Sequence, residues 1–125
     1  MHEYSIAFEI VSIVEKLAEE HQKPIKKIKL VFGAFSLANR EQISFWFNIL
    51  IQDHKHLKKA ELHFMDVPGI IQCNECSYKG PTTVSEDNNL SHALPMEFLI
   101  SCPQCKAKNT TILSGMDVIV KEVLL

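Results

Sequence analysis

The chain has 125 residues, 46% of them hydrophobic and 22% charged, which suits one compact unit or a small core with an appendage and excludes two large domains and wholesale disorder. Its formal charge of -2 without a basic stripe argues against a protein that coats phosphate backbones. No apolar run approaches membrane-spanning length, and acidic Glu3 stands where a signal peptide would be basic, so the expected location is cytoplasmic, with no membrane partner.

From Tyr4 to about His21, Ala7, Ile10, Val11, Val14, Leu17 and Ala18 recur at helical spacing, while Glu9, Glu15, Lys16, Glu19 and Glu20 take the other face. Lys23-Pro24 stops this helix, and Ile25 to Phe32 reads as a strand that Gly33 ends. Asn39 is placed to cap a second helix, with Gln42 reaching back from its third position. Ile43, Phe47, Leu50 and Ile51 supply that helix's buried face, widened by Trp46 and Ile49. His54 and His56 near its end read as solvated, and His63 as the outer face of a strand from Glu61 to Val67 that Pro68-Gly69 closes. Residues 85–91 read as a polar loop, and Met116 to Leu124 as a last strand, apolar on both faces and therefore expected to be central or well covered.

The order implies an α+β fold, two helices packed on a three-stranded mixed sheet, with a cysteine module inserted before the last strand. The expected division is 1–67 plus 116–125 for the α/β domain and 68–115 for the inserted one.

All four cysteines fall in the insert, as Cys73-Asn-Glu-Cys76 and Cys102-Pro-Gln-Cys105 with 25 residues between the pairs. In a reducing compartment this spacing is a zinc-ribbon-like signature, each CxxC turn aiming backbone N–H groups at its first sulfur and the two turns closing a tetrahedron on Zn²⁺. Such a site has no open position for substrate, so the zinc is structural and no enzyme is expected. Lys79, Lys106 and Lys108 are candidates to offset the thiolate charge.

Met1-His2-Glu3 is a second metal candidate. His2 keeps Met1 in place, and the free amine, the deprotonated His2 backbone nitrogen and the imidazole form adjoining chelate rings suited to planar Ni²⁺ or Cu²⁺. A second-position histidine alone is most often a frayed end.

The start Met1-His2-Glu3-Tyr4-Ser5, with Gly33-Ala-Phe-Ser36, Glu41, Phe45-Trp-Phe47, both CxxC pairs and Ser114-Gly115, resembles the HypA/HybF family of hydrogenase nickel incorporation proteins over essentially the whole chain. The resemblance implies a metallochaperone that inserts nickel into the large subunit of [NiFe] hydrogenase with the nickel-handling GTPase HypB, as a monomer or weak homodimer. It implies reversible nickel at His2 with the Met1 amine and Glu3, and zinc at Cys73, Cys76, Cys102 and Cys105. His92-Ala-Leu-Pro95, in an insert longer than in many bacterial members, resembles a segment that brings an auxiliary nickel ligand. Ser77 and Lys106 stand where family members often have glycine, so a left-handed turn there costs about 1 kcal/mol. The rival reading is a zinc-ribbon interaction module in transcription or nucleic-acid binding, which the acidic balance disfavours.

Overall fold

The computed structural model describes residues 3–84 and 99–125. They form two compact units: one runs through Phe32 and includes Leu37–Met65 and Val118–Leu125, and the other comprises Gly33–Ser36 and the described part of Asp66–Asp117.

In the first unit, α1 spans Glu3–His21 and buries Ala7, Ile10, Val11, Val14 and Ala18, the face its spacing predicts, with Leu17 only half-buried. Gln22 then turns left-handed (φ 50°), Lys23 N–H closes back on the Ala18 carbonyl at 3.4 Å, and Pro24 follows, so a helix without a C-terminal glycine ends on a strained cap. Strand β1 (Lys27–Gly33) starts later than expected because the chain first makes a turn that buries Ile25. Helix α2 (Arg40–Leu50) begins at Asn39, whose side chain accepts from Gln42 N–H at 3.0 Å, satisfying an amide with no partner inside the helix. Of α2's apolar residues Ile43 and Phe47 are buried and Trp46 is half-buried against the core, whereas Ile49 and Phe45 are exposed.

Strand β2 (Glu61–Val67) lies beside β1, and β6 (Val118–Leu124) pairs antiparallel on β1's other side, from Lys27 opposite Leu124 to Phe32 opposite Val118. The last strand is therefore an edge and not the centre. Its apolar residues divide instead: Val118, Val120 and Val123 pack on the core while Ile119 and Leu124 face out. The fully buried Ile28 and Leu30 make β1 the central strand, and they join both helix faces in one apolar cluster. Arg40 lays its guanidinium over Phe32 and Phe64, 4.7 and 5.4 Å from the ring centroids, closing the core under a cation that keeps its water.

The cysteine module carries a sheet that sequence patterning does not reveal. Strands β3 (Gly69–Cys73), β4 (Lys79–Thr82) and β5 (Thr110–Ser114) are ordered β4-β3-β5 with antiparallel pairing on both sides of β3. Lys-Gly-Pro-Thr is too short and too rich in turn residues to read as a strand. It pairs because a CxxC turn folds it back onto β3, Cys73 N–H donating to the Tyr78 carbonyl at 2.7 Å. Phe35, Ile71 and Ile100 are this unit's buried core. Phe35 reaches it from a short 3-10 helix, Ala34–Ser36, and lies so close to Gly69 that a Cβ there would come within 2.1 Å of its ring.

Candidate metal centre

Each CxxC pair sits on a tight turn fixed by backbone bonds. Cys73 ends β3, and Glu75 N–H points at its sulfur from 3.4 Å; Gln104 and Cys105 N–H groups point at the Cys102 sulfur from 3.4 and 3.5 Å. Lys106 N–H returns to the Cys102 carbonyl at 2.9 Å and Cys102 N–H reaches the Ala107 carbonyl at 2.8 Å. Closing turns this tight takes the residue after the second cysteine into the left-handed region, and Ser77 (φ 65°) and Lys106 (φ 66°) both adopt it. These are the positions where the absence of glycine is expected to cost.

The two turns converge. The Cys73 and Cys105 sulfurs are 3.6 Å apart, as are those of Cys76 and Cys102, and all four lie within 4.8 Å of one another. A tetrahedron with zinc–sulfur bonds of about 2.3 Å has sulfur–sulfur edges of about 3.8 Å, so the spacing fits zinc. Burial is graded: Cys73 and Cys102 are inside, Cys76 is half-buried and Cys105 is exposed. No other group of three or more His, Cys, Asp or Glu among the described residues brings its donor atoms together in this way.

Without a cation the four thiols cannot ionise together, because each new charge faces the others across a few ångströms. Burial pushes the Cys102 thiol up, but the N–H groups of Cys105 and Gln104 and the neighbouring sulfurs outweigh it and draw it down to about 7. At Cys76 the Tyr78 backbone pulls down, yet burial and the three other sulfurs push the thiol up to about 12. Cys105 is also raised, the Ala107 backbone being outweighed by burial and the Cys73 sulfur. One sulfur is thus ready to ionise near neutrality while others resist, and a divalent ion at the centre is what lets all four serve as thiolates.

A polar clasp holds the turns to each other. Asn74 N–H donates to the Asn109 carbonyl at 2.9 Å, Asn74 Nδ2 donates to Asn109 Oδ1 at 3.0 Å and Thr111 Oγ1 at 3.3 Å, and Asn109 Nδ2 donates to Glu75 Oε1 at 3.3 Å. The only sequence signal for it is an asparagine inside one CxxC and another four residues beyond the other. Of the lysines considered as counter-charges, Lys106 turns its ammonium to the Pro103 carbonyl at 3.5 Å.

Of the terminal candidates, Glu3 is the half-buried first residue of α1, where the helix dipole favours a carboxylate. Met1, His2 and His92 lie outside the described residues. His54, expected to be merely solvated, pairs its Nδ1 with Glu15 Oε1 at 2.7 Å, and His56 Nε2 is buried with no hydrogen-bond partner among the described residues. His63 is on the outer face as expected, 3.3 Å from Glu61.

The family model described as "Hydrogenase/urease nickel incorporation, metallochaperone, hypA" matches residues 1–125. The chain is 36% identical to the hydrogenase maturation factor HypA of Methanosarcina barkeri, covering 98% of this chain and 94% of that one. With the corresponding protein of Methanosarcina acetivorans it is 34% identical over the same shares. The solution structure of the Ni metallochaperone HypA from Helicobacter pylori superposes with a TM-score of 0.64 at 20% identity, covering 98% of this chain and 96% of that one. A full-length family match, two relatives above 30% identity and a four-sulfur cluster of zinc dimensions agree, and the chain belongs to the HypA family of nickel-incorporation metallochaperones.

Proposed function

We propose that this protein carries nickel to a maturing [NiFe] hydrogenase, binding the ion at its amino-terminal residues and keeping zinc as a structural element. The observation that carries the reading is the family match along the whole chain. The chemistry of the two donor sets supports a division of labour. Four converging thiolates form a closed cage that leaves no position for an acceptor's ligands, which suits a resident ion and not one that must leave. Nickel delivery needs an exposed set of nitrogen and oxygen donors that another protein can displace one at a time. The Met1 amine, the His2 backbone nitrogen and imidazole, and Glu3 are such a set, with His92 as an auxiliary ligand. In this reading residues 1–67 plus 116–125 are the nickel domain and 68–115 the zinc domain.

When bound, zinc lets the four thiolates coexist and ties the two turns together. The rest falls to the chain's own groups. The His2 ring and the terminal amine give up protons before they bind nickel, so acidification weakens nickel binding before it disturbs the cage. Docking of the GTPase HypB, and then of the hydrogenase large subunit, offers replacement ligands in the cytoplasm, and the ion passes without chemical transformation.

The test is an extension. Adding Gly-Ser ahead of Met1 turns the amine into an amide while every side chain remains, and His2→Ala removes the imidazole. Both variants are expected to keep zinc but to lose nickel affinity and hydrogenase maturation, and His92→Ala to weaken nickel binding or alter its geometry without changing zinc content. Full nickel affinity in the extended protein overturns the terminal site.

A further inference from the structure

At the carboxyl end of α1 the first unit has a groove of about 510 Å³ whose walls include Pro24, Ile25 and Leu124 and whose rim carries Lys26, Lys27 and Lys59. Three backbone bonds fix those walls: Ile25 N–H to the His56 carbonyl at 2.9 Å, Lys26 N–H to the Leu124 carbonyl at 2.7 Å, and Glu61 N–H to the Lys26 carbonyl at 3.1 Å. The groove is therefore formed before anything enters it.

Its charge is unlike that of the molecule. The chain is acidic overall, yet the three rim lysines are exposed, no ion pair engages them among the described residues, and Lys23 and Lys58 adjoin them in sequence. The rim's carboxylate, Glu61, faces His63 at 3.3 Å. A locally basic rim on an otherwise acidic chain attracts an anionic partner and disfavours a cationic one.

We infer that this groove is a docking site for an acidic segment of a partner protein, seating an apolar side chain against the exposed Pro24 and Leu124 while its carboxylates meet Lys26, Lys27 and Lys59. The groove lies beyond the far end of a 19-residue helix from Glu3, about 28 Å at 1.5 Å per residue. A partner held there leaves Glu3, at the helix's other end, uncovered. The inference does not depend on where nickel binds.

The probe is a fluorescein-labelled peptide, Glu-Asp-Leu-Glu-Leu-Asp-Glu, with the zinc-loaded full chain, read by polarisation. Binding is expected to weaken with added salt, to fall about tenfold or more in Lys26→Glu/Lys27→Glu/Lys59→Glu, and to fall less in Leu124→Ala. Methyl signals of Leu124 should shift and those of Ile71 and Ile100 stay. No binding, binding indifferent to charge reversal, or equal binding of a peptide with lysine in place of its acidic residues overturns the proposal. So does a preference of the same lysines for phosphatidylglycerol vesicles, which would assign the surface to a membrane.

Discussion

Ser77 and Lys106 each hold a left-handed backbone that glycine adopts freely. The strain is not relieved elsewhere, since the turn that imposes it is what brings the sulfurs together. Ser77→Gly and Lys106→Gly are each expected to stabilise the zinc-loaded second unit by up to about 1 kcal/mol, set against the entropy glycine adds to the unfolded chain. Thermal unfolding of single and double variants measures this, and no gain in either would remove strain as the account of the turn. The metal-free cage makes a second residue-level prediction. Cys102 ionises near 7 in the folded chain against about 9 for an ordinary thiol. A lowered value means its thiolate stabilises the fold fully above about 9, and that contribution is lost as pH falls through 7. Titrating by ultraviolet thiolate absorbance at once after chelation, while the second unit is still folded, should show the first proton leaving near pH 7, and Cys102→Ser should abolish that step.

Among the elements, helices were the most legible. Ala7, Ile10, Val11, Val14 and Ala18 recur because α1 meets a single core, so one periodicity describes its environment. Asn39 was readable for the same reason, a cap being a purely local device. What patterning could not supply is non-local. The edge position of β6 depends on which strand reaches β1 first, and alternating Val118, Val120 and exposed Ile119 read equally as a covered strand. Strands β3, β4 and β5 exist because the CxxC turns fold short segments together. The four sulfurs were legible from spacing alone, whereas the asparagine clasp leaves no recognisable motif. Phe35 was seen only as part of Gly33-Ala-Phe-Ser36; its reason is Gly69, where the ring occupies the space of a side chain. Gly69→Ala should therefore cost the second unit about 1–3 kcal/mol through overpacking. Adding Phe35→Leu should recover part of that loss; simple additivity in thermal unfolding would show that the two positions do not compete for space.

At the scale of the molecule, the two units have unequal means of support. The first has a broad apolar cluster drawn from both helices and the sheet, whereas among the described residues the second's apolar cluster has Phe35, Ile71 and Ile100 at its centre, beside the buried Cys73 and Cys102. A core that small needs a staple, and a four-thiolate zinc site supplies about 10–16 kcal/mol in small metal-dependent domains. Chelation, or Cys73→Ser, should therefore collapse the methyl signals of Ile71 and Ile100 while leaving the fluorescence of Trp46, the chain's one tryptophan and part of the first unit's packing, nearly unchanged. Simultaneous loss of both signals would mean that the zinc supports the whole chain. The pairing of Lys27 with Leu124 also bears on the order of assembly. All four cysteines lie between those two partners in sequence, so a chain cut before Val118 carries the cage's full donor set but lacks the strand that completes the sheet of Ile28, Leu30 and Phe32. Such a chain is a zinc-binding species with an unclosed first sheet, and zinc occupancy by itself is no report that the first unit has formed.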